Sequence, residues 1–132
     1  MRNLAFARSA PVLQVRGVVK SAAYYKEKLG FSAGRFWGDP PCFCIVGRGS
    51  VTIFLDQARE DAPLPVNQYW AAYVYVDDVD AYLEELKGQA VDIVRGPENT
   101  DYGCRDFDVK DPDGHIVCSG QDLTPGPDGP GL

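Results

Sequence analysis

The sequence predicts an α+β domain built from two tandem βαβββ modules, and three observations support this. Strand and helix patterns follow one another in the same order in both halves of the chain. The first helix pattern ends in Y-Y-K-E-K-L-G at 24–30, and the second ends in Y-L-E-E-L-K-G at 82–88. Each half is also too small to bury its own sheet, so the two must pack together. We expect one domain at 1–122, with module one at about 4–57, module two at about 68–122 and a disordered Pro- and Gly-rich tail at 123–132.

Module one is predicted to begin with an extended segment at 4–16, in which Pro11 suits a strand start or edge. Apolar residues spaced three and four apart then predict a helix at 18–29, and Gly30 is a suitable residue to end it. Turn residues separate the three apolar stretches that follow. We expect strands at 31–37, 42–46 and 51–55.

Module two repeats this order. An aromatic- and valine-rich strand is predicted at 69–76, and a helix at 77–88 with Asp77 or Asp78 as its N-cap. Phe107 alternates with two aspartates, which predicts one apolar strand face and one solvated face carrying Asp106 and Asp108. The remaining strands are expected at 92–95, 104–108 and 116–121, with a D-P-D-G turn at 111–114. The two sheets are expected to face each other and leave a pocket between them.

Composition and charge exclude several classes of function. The formal net charge of −6 disfavours binding to phosphate backbones, so nucleic acid is not expected as a partner. No apolar run is long enough to span a membrane and the N-terminus does not resemble a signal peptide, so we expect a cytoplasmic protein. The cysteines form no C-x-x-C pair, which favours reduced thiols over a structural zinc site. They are Cys42, Cys44, Cys104 and Cys118.

Three motifs carry a resemblance to a known superfamily. They are P-V-L at 11–13 with the helix end at 24–31, A-A-Y-V-Y-V-D-D at 71–78, and Y-G-C-R-D-F at 102–107 with the D-P-D-G turn. With the three motifs in this order, the chain resembles the vicinal oxygen chelate superfamily over about residues 9–122. This superfamily contains glyoxalases, bleomycin resistance proteins and extradiol dioxygenases. Within it, the chain resembles the bleomycin-resistance-like branch. The resemblance implies the glyoxalase/bleomycin resistance fold, with a curved mixed sheet that forms a cleft.

The metal enzymes of this superfamily hold their ion with side chains at four equivalent strand positions. Alanine and phenylalanine offer no donor, and one thiol does not hold a metal site. A slip of one residue in the correspondence would bring no His or Glu to these places. The resemblance therefore implies no metal, no cofactor and no catalytic residue. The four positions fall at about Ala10, Phe54, Ala71 and Cys118.

The resemblance implies instead a metal-independent binding protein of the bleomycin-resistance type. Such a protein would sequester a flat antibiotic or metabolite, cationic or neutral, in an aromatic-lined crevice. In those relatives the crevice lies at a homodimer interface, and the first strand can be exchanged between subunits. The matching ligand-binding residues are Tyr102, Tyr73, Trp37, Phe43 and Cys118.

Other interpretations of these residues stay open. Tyr73, Trp37 and Phe43 can equally be core residues. Arg105 is expected to form an ion pair with a neighbouring aspartate. His115, the one histidine, is expected at the solvated rim of the sheet and without a nucleophile beside it. The alternative function is an enzyme of the same superfamily, a lyase, isomerase or dioxygenase, with an unrecognised site.

Overall fold

The computed structural model describes residues 2–126, which form two four-stranded sheets and two helices. The predicted α+β class and tandem order of elements are confirmed. Neither helix in this part of the chain has the length and apolar character needed to cross a membrane. Of the predicted tail, 123–126 is neither strand nor helix, and 127–132 lies outside the described residues. Module one contains β1 (Val12–Val15), α1 (Val18–Glu27), β2 (Ser32–Trp37), β3 (Phe43–Arg48) and β4 (Val51–Gln57), and module two contains β5 (Trp70–Tyr75), α2 (Val79–Leu86), β6 (Asp92–Asn99), β7 (Cys104–Lys110) and β8 (Ile116–Asp122).

Both sheets have the same topology. The strand order is β1-β4-β3-β2 in module one and β5-β8-β7-β6 in module two. The first strand of each module runs parallel to the last, and the other neighbours are antiparallel. In register, Val12 lies beside Phe54 and Tyr73 beside Cys118. The two modules are therefore repeats in three dimensions.

Both helices begin in the same way. The Oε1 atom of Gln57, at the end of β4, accepts a hydrogen bond from the Val18 N–H at 2.8 Å. The Oε1 atom of Gln121, near the end of β8, accepts one from the Val79 N–H at 3.0 Å. Each last strand therefore satisfies a free N–H at the start of its module's helix. Asp78 is the additional side-chain N-cap of α2, which decides between the two predicted candidates.

One apolar core lies between the two modules. It combines the α1-covered face of the first sheet with the α2-covered face of the second, where Val74 and Phe107 lie. The Tyr25 Oη atom of α1 donates to Asp111 Oδ2 of module two at 2.8 Å. The Tyr82 Oη atom of α2 donates to the Leu29 carbonyl of module one at 2.9 Å. The helices therefore join the modules.

Each sheet consequently keeps an open face on the side away from this core. Strand alternation places Leu55 in the core and its neighbour Phe54 on the open face. The two sheets face each other with a cavity between the modules, as expected, but they do so through their helix-covered faces. The helix-covered faces carry the residues of the shared apolar core, and burying them against each other is a strong driving force.

His115 is buried and not solvated at the sheet rim as predicted. It is 3% exposed, and its backbone N–H donates to Asp111 Oδ1 at 2.9 Å. Its Nε2 lies 2.7 Å from the Gln14 carbonyl oxygen, which can only accept, so Nε2 carries the proton. The D-P-D-G turn folds against β1 and draws the histidine inward. His115 is thus a structural link between the modules.

Candidate functional site

A row of three aromatic rings crosses the open face of module one. Trp37 of β2 lies opposite Phe43 of β3, with their ring centroids 5.4 Å apart. Phe43 in turn lies 5.4 Å from Phe54 of β4. The guanidinium of Arg35 stands 4.5 Å from the centre of the Trp37 ring. Because all three rings are partly exposed, they form an accessible stacking surface.

A second aromatic group covers the open face of module two. The Tyr73 ring lies 4.8 Å from Trp70 and 5.0 Å from Tyr75, all on β5. Tyr102, in the turn before β7, lies 6.2 Å from Trp70. Trp70 is 38% exposed and Tyr102 41% exposed. Period-2 spacing indicated that Tyr73 and Tyr75 share a face, but Trp70 gave no signal because a bulge follows it in β5.

Asp106 ties two of these rings together. Its Oδ2 accepts hydrogen bonds from Tyr73 Oη at 2.9 Å and from Tyr102 Oη, and its Oδ1 accepts from Arg95 Nη2. The residue is fully buried. The predicted solvated position of Asp106 is therefore wrong, because tyrosine rings and an arginine cover that strand face.

Asp108 is the second carboxylate of this group, and its predicted solvated position is also wrong. It is 8% exposed and accepts from Arg95 Nε at 2.9 Å and from Trp70 Nε1 at 3.1 Å. Arg95 also binds the exposed Glu98, so three carboxylates share one guanidinium and leave net negative charge beside the rings. The sequence signal for this group was the D-F-D spacing on β7, but nothing local indicated that Arg95 would meet it.

The hydrogen bonds fix the protonation states of the group. Burial alone would raise the pKa of Asp106, but the bonds from Tyr102, Arg95 and Tyr73 outweigh it and hold that pKa below its usual value. The pKa values of Tyr73 and Tyr102 are raised, first by burial and then by hydrogen bonding and the nearby Asp106 charge. At neutral pH a carboxylate therefore accepts from two neutral phenols.

Cys118 lies in register with Tyr73 but is fully buried. Its Sγ is 3.8 Å from Arg95 Nη2. Burial raises the pKa of the Cys118 thiol, and the hydrogen bond to Asp108 and the two carboxylate charges raise it further. A protonated, buried thiol is a poor nucleophile and a poor metal ligand. The other cysteines are also free thiols, and Cys42 is exposed.

The internal repeat relates the four positions at which the superfamily's metal ligands were predicted to fall. Phe54 and Cys118 each lie three residues before the glutamine that meets the helix start, and each pairs with the first strand of its module. The two alanines each lie two residues before that pairing partner. Across residues 2–126, no three His, Cys, Asp or Glu side chains lie close enough to hold a metal ion. The four residues are Ala10, Phe54, Ala71 and Cys118.

Arg105 forms an ion pair as predicted, but its partner comes from a helix. Its Nε atom lies 3.0 Å from Asp80 Oδ2 of α2, and its Nη1 donates to Asn99 Oδ1 at 3.1 Å. Because β7 side chains alternate, Arg105 points to the helix-covered face and away from Asp106. This arginine is therefore not part of the aromatic group.

A cavity of about 540 Å³ lies elsewhere, between the modules. Its walls include Phe31 and Val51 of module one and Val109, Tyr82 and Glu85 of module two. It has the size of a small-molecule pocket. None of the five ligand-binding residues predicted from the sequence lines it. The structure instead places Trp37 and Phe43 on one open face, and Tyr73, Tyr102 and Cys118 on the other.

Comparison with known proteins gives one family and many similar folds. The family described as "Glyoxalase/Bleomycin resistance protein/Dioxygenase superfamily" matches residues 8–118. No curated protein sequence matches this chain. Among solved structures, a bleomycin resistance determinant encoded on transposon Tn5 is 22% identical with a TM-score of 0.72, over 89% of this chain and 98% of that one.

Two further structures resemble the chain to a similar degree. The bleomycin-binding protein from Streptomyces verticillus, complexed with copper(II)-bleomycin, is 22% identical with a TM-score of 0.67, over 93% of this chain and 100% of that one. TnmS3, an antibiotic binding protein from Streptomyces sp. CB03234, is 23% identical with a TM-score of 0.68, over 91% of this chain and 99% of that one. At these identities the likeness shows a shared fold.

Proposed function

Because the chain belongs to the glyoxalase/bleomycin resistance protein/dioxygenase superfamily, as its motifs indicated, we propose that it is a metal-independent binding protein of the bleomycin-resistance type. It sequesters a flat antibiotic or metabolite between aromatic side chains. The observation that carries the proposal is the aromatic group on each open sheet face. An open sheet face in water normally carries polar side chains, and a large exposed apolar patch generally marks a binding surface.

The charge distribution favours a cationic ligand. Arg95 binds three carboxylates, Asp106, Asp108 and Glu98, which leaves net negative charge next to the rings of module two, and the whole chain carries −6. A flat cation gains both from stacking on the rings and from this charge. The long-range part of the attraction weakens as salt is added.

The crevice is proposed to form between two copies of the chain. The shared core lies between the sheets, so the open faces of one chain point away from each other. A crevice lined by Trp37 and Tyr102 together therefore requires module one of one copy and module two of another. The segment before β1 belongs to no strand or helix and exposes Leu4 at 68% and Phe6 at 97%, so we propose that this end of the chain, with the first strand, is exchanged between subunits. Such a homodimer would contain two equivalent crevices.

The names of similar structures are consistent with this proposal. Two are bleomycin-binding or bleomycin-resistance proteins, and a third binds an antibiotic. Calorimetric titration with copper(II)-bleomycin tests the drug directly. We expect Trp37→Ala and Tyr102→Ala each to weaken binding by about tenfold or more, since buried aromatic anchors dominate such interfaces. Val19→Ala, on the exposed side of α1, is the matched control and should change nothing. Absence of heat at millimolar drug would remove bleomycin as the ligand.

The competing interpretation is an enzyme of the same superfamily that uses a metal. Purified protein can be analysed for zinc, nickel, manganese and iron after dialysis. One tightly held ion per chain would overturn metal independence and favour a lyase, isomerase or dioxygenase. A metal-free protein that still binds its ligand supports the binding function.

A further inference from the structure

The two buried carboxylates on the open face of module two already accept hydrogen bonds from the protein itself. Asp106 accepts through one oxygen from Arg95 and through the other from two tyrosines. Asp108 accepts through Oδ2 from Arg95 Nε, and through Oδ1 from Trp70 Nε1 and Arg95 Nη2. All four carboxylate oxygens are thus occupied by donors of the protein itself. A ligand reaching this face senses the charge but meets ring surfaces.

These rings are oriented to interact with a cation. Tyr73 and Tyr102 donate their hydroxyl protons to a carboxylate, and a phenol in that arrangement has a more electron-rich ring. The Trp70 indole likewise donates to Asp108. Trp70 and Tyr102 are 38% and 41% exposed, so a ligand can reach them. The face therefore attracts positive charge through its π-surfaces.

Cations differ in how much hydration they lose, without replacement, on such a surface. A primary ammonium has three N–H donors and loses hydration when it is buried without acceptors. A quaternary or delocalised cation has no such donors to satisfy and is well suited to aromatic surfaces. We propose that the crevice selects a flat onium-type cation over a primary ammonium and over a neutral molecule of the same shape. This inference rests on the proposed function and narrows its ligand class.

Two other carboxylates face the proposed crevice and must be considered. Glu98 is bound to Arg95 Nη1 at 2.6 Å and is exposed, so water screens its charge. Asp56, on the open face of module one, lies 3.5 Å from Gln14 Nε2. Glu98 and Asp56 are therefore the carboxylates on the two open faces that an ammonium group can reach. The Asp56→Asn variant therefore belongs in the test.

Three probes of nearly the same size and shape test the selection. They are N-methylquinolinium, 1-methylnaphthalene and 1-naphthylmethylammonium, titrated against tryptophan fluorescence of the full chain. We expect N-methylquinolinium to bind about five- to tenfold more tightly than either of the others, since a cation–π contact on a partly desolvated ring has that size. An equal affinity for the neutral probe overturns the proposal. So does a preference for the ammonium probe, especially one lost in Asp56→Asn.

Copper(II)-bleomycin, titrated in parallel, distinguishes a failure of the onium selection from a failure of the proposed binding function. If it binds while the three probes show no preference, the onium selection is wrong and the binding function stands. If neither it nor any probe binds, both are overturned.

Asp106→Asn should bring the affinity for N-methylquinolinium down towards that for 1-methylnaphthalene. Tyr102→Phe retains the ring and loses one hydroxyl, so it should weaken only the cation, in a protein that keeps its fold.

A measurement without ligand checks the hydrogen bonds from Tyr73 and Tyr102 to Asp106. Carbon-13 labelled tyrosines can be followed by NMR as pH rises. The pKa values of Tyr73 and Tyr102 should lie above the usual tyrosine value, first because the rings are partly buried and then because Asp106 accepts from them and carries negative charge. Both should ionise at lower pH in Asp106→Asn. Ordinary ionisation of both in the wild-type protein would show that the carboxylate does not hold them, and would overturn the proposal regardless of the ligand.

Discussion

Gly120 shows how one residue sets the geometry of the aromatic group. A Cβ built at this position would overlap the ring of Tyr73, so only glycine leaves that ring its place over β8. The Tyr73 hydroxyl reaches Asp106 from there. The absence of a side chain on β8 is therefore part of the proposed site.

Gly120→Ala should displace the Tyr73 ring and break its bond to Asp106. We expect the free energy of unfolding to fall by about 1–2 kcal/mol, since an added methyl group in a packed site costs that much. The near-ultraviolet circular dichroism of the aromatic group should also change. Urea unfolding measures the loss of stability, and the near-ultraviolet spectrum measures the displacement of the ring. Gly17→Ala is the control, because the nearest atoms to its added Cβ lie at 3.8 Å. Identical spectra for wild type and Gly120→Ala would contradict the prediction.

The Asp106 carboxylate should make the protein sensitive to acid. Its pKa is lower in the folded chain than in the unfolded one, so the folded state binds fewer protons. Its contribution is therefore present above the ordinary aspartate pKa and is lost as pH falls through the folded value. At neutral pH Asp106→Asn should lower the free energy of unfolding by about 3 kcal/mol, because Arg95 Nη2 and two tyrosine hydroxyls lose the buried carboxylate that accepts from them.

Urea unfolding at several pH values measures this dependence. The difference between wild type and Asp106→Asn should shrink as the solution is made acidic, because the wild-type carboxyl becomes neutral as well. Asp61→Asn, which removes an exposed ion pair with Arg59, is the control and should have little effect at any pH. A difference that stays constant down to strongly acid solution would show that Asp106 is not held as a carboxylate.

At the scale of elements, the last strand of each module helps to start that module's helix. Gln57→Leu leaves the Val18 N–H and the Arg16 carbonyl without their side-chain partner, and should cost about 2 kcal/mol. Gln121→Leu removes the bond to Val79 and should cost about 1 kcal/mol. Gln89→Leu, at an exposed position after α2, is the matched control. If Gln57→Leu unfolds at the same temperature as the control or a higher one, Gln57 does not stabilise the start of α1.

The elements themselves could be predicted from local pattern, and their exceptions have local causes. Apolar spacing indicated both helices and alternation indicated the strands. β6 was expected to end at Arg95, yet it continues through Gly96 and Pro97 to Asn99. Gly96 has a φ of 78°, and a Cβ there would meet the Asp106 carbonyl oxygen at 2.5 Å. The glycine thus allows a bulge where the sequence suggested a break.

At the scale of the whole molecule, local pattern was less informative. Alternation along β5 indicated that Tyr73 and Tyr75 share a face, but it does not reveal which faces of two sheets pack together. That outcome depends on Tyr25 and Tyr82 reaching across the core to the other module. The meeting of Arg95 with Asp106 depends likewise on strand register around a bulge. Long-range register and packing therefore determine which sheet faces stay open and which charged residues meet there, and local sequence pattern does not reveal either.

The same packing leads to a prediction about assembly. If each crevice combines module one of one copy with module two of another, a heterodimer of Trp37→Ala and Tyr102→Ala chains contains one crevice with both defects. Its other crevice has neither. Two variants that bind weakly as homodimers should therefore regain, in the heterodimer, one site of wild-type affinity for every two chains. Differently tagged chains, refolded together and purified by both tags, allow this to be measured by calorimetry.

The control uses the same two substitutions in a different arrangement. A chain carrying both Trp37→Ala and Tyr102→Ala, paired with a wild-type chain, places one defect in each crevice. No site of wild-type affinity should then remain, although the number of substituted residues is unchanged. If this second heterodimer keeps one intact site and the first has none, the two aromatic groups act within a single chain. That result would contradict a crevice between copies, whereas the opposite pattern requires it, because the two open faces of one chain point away from each other.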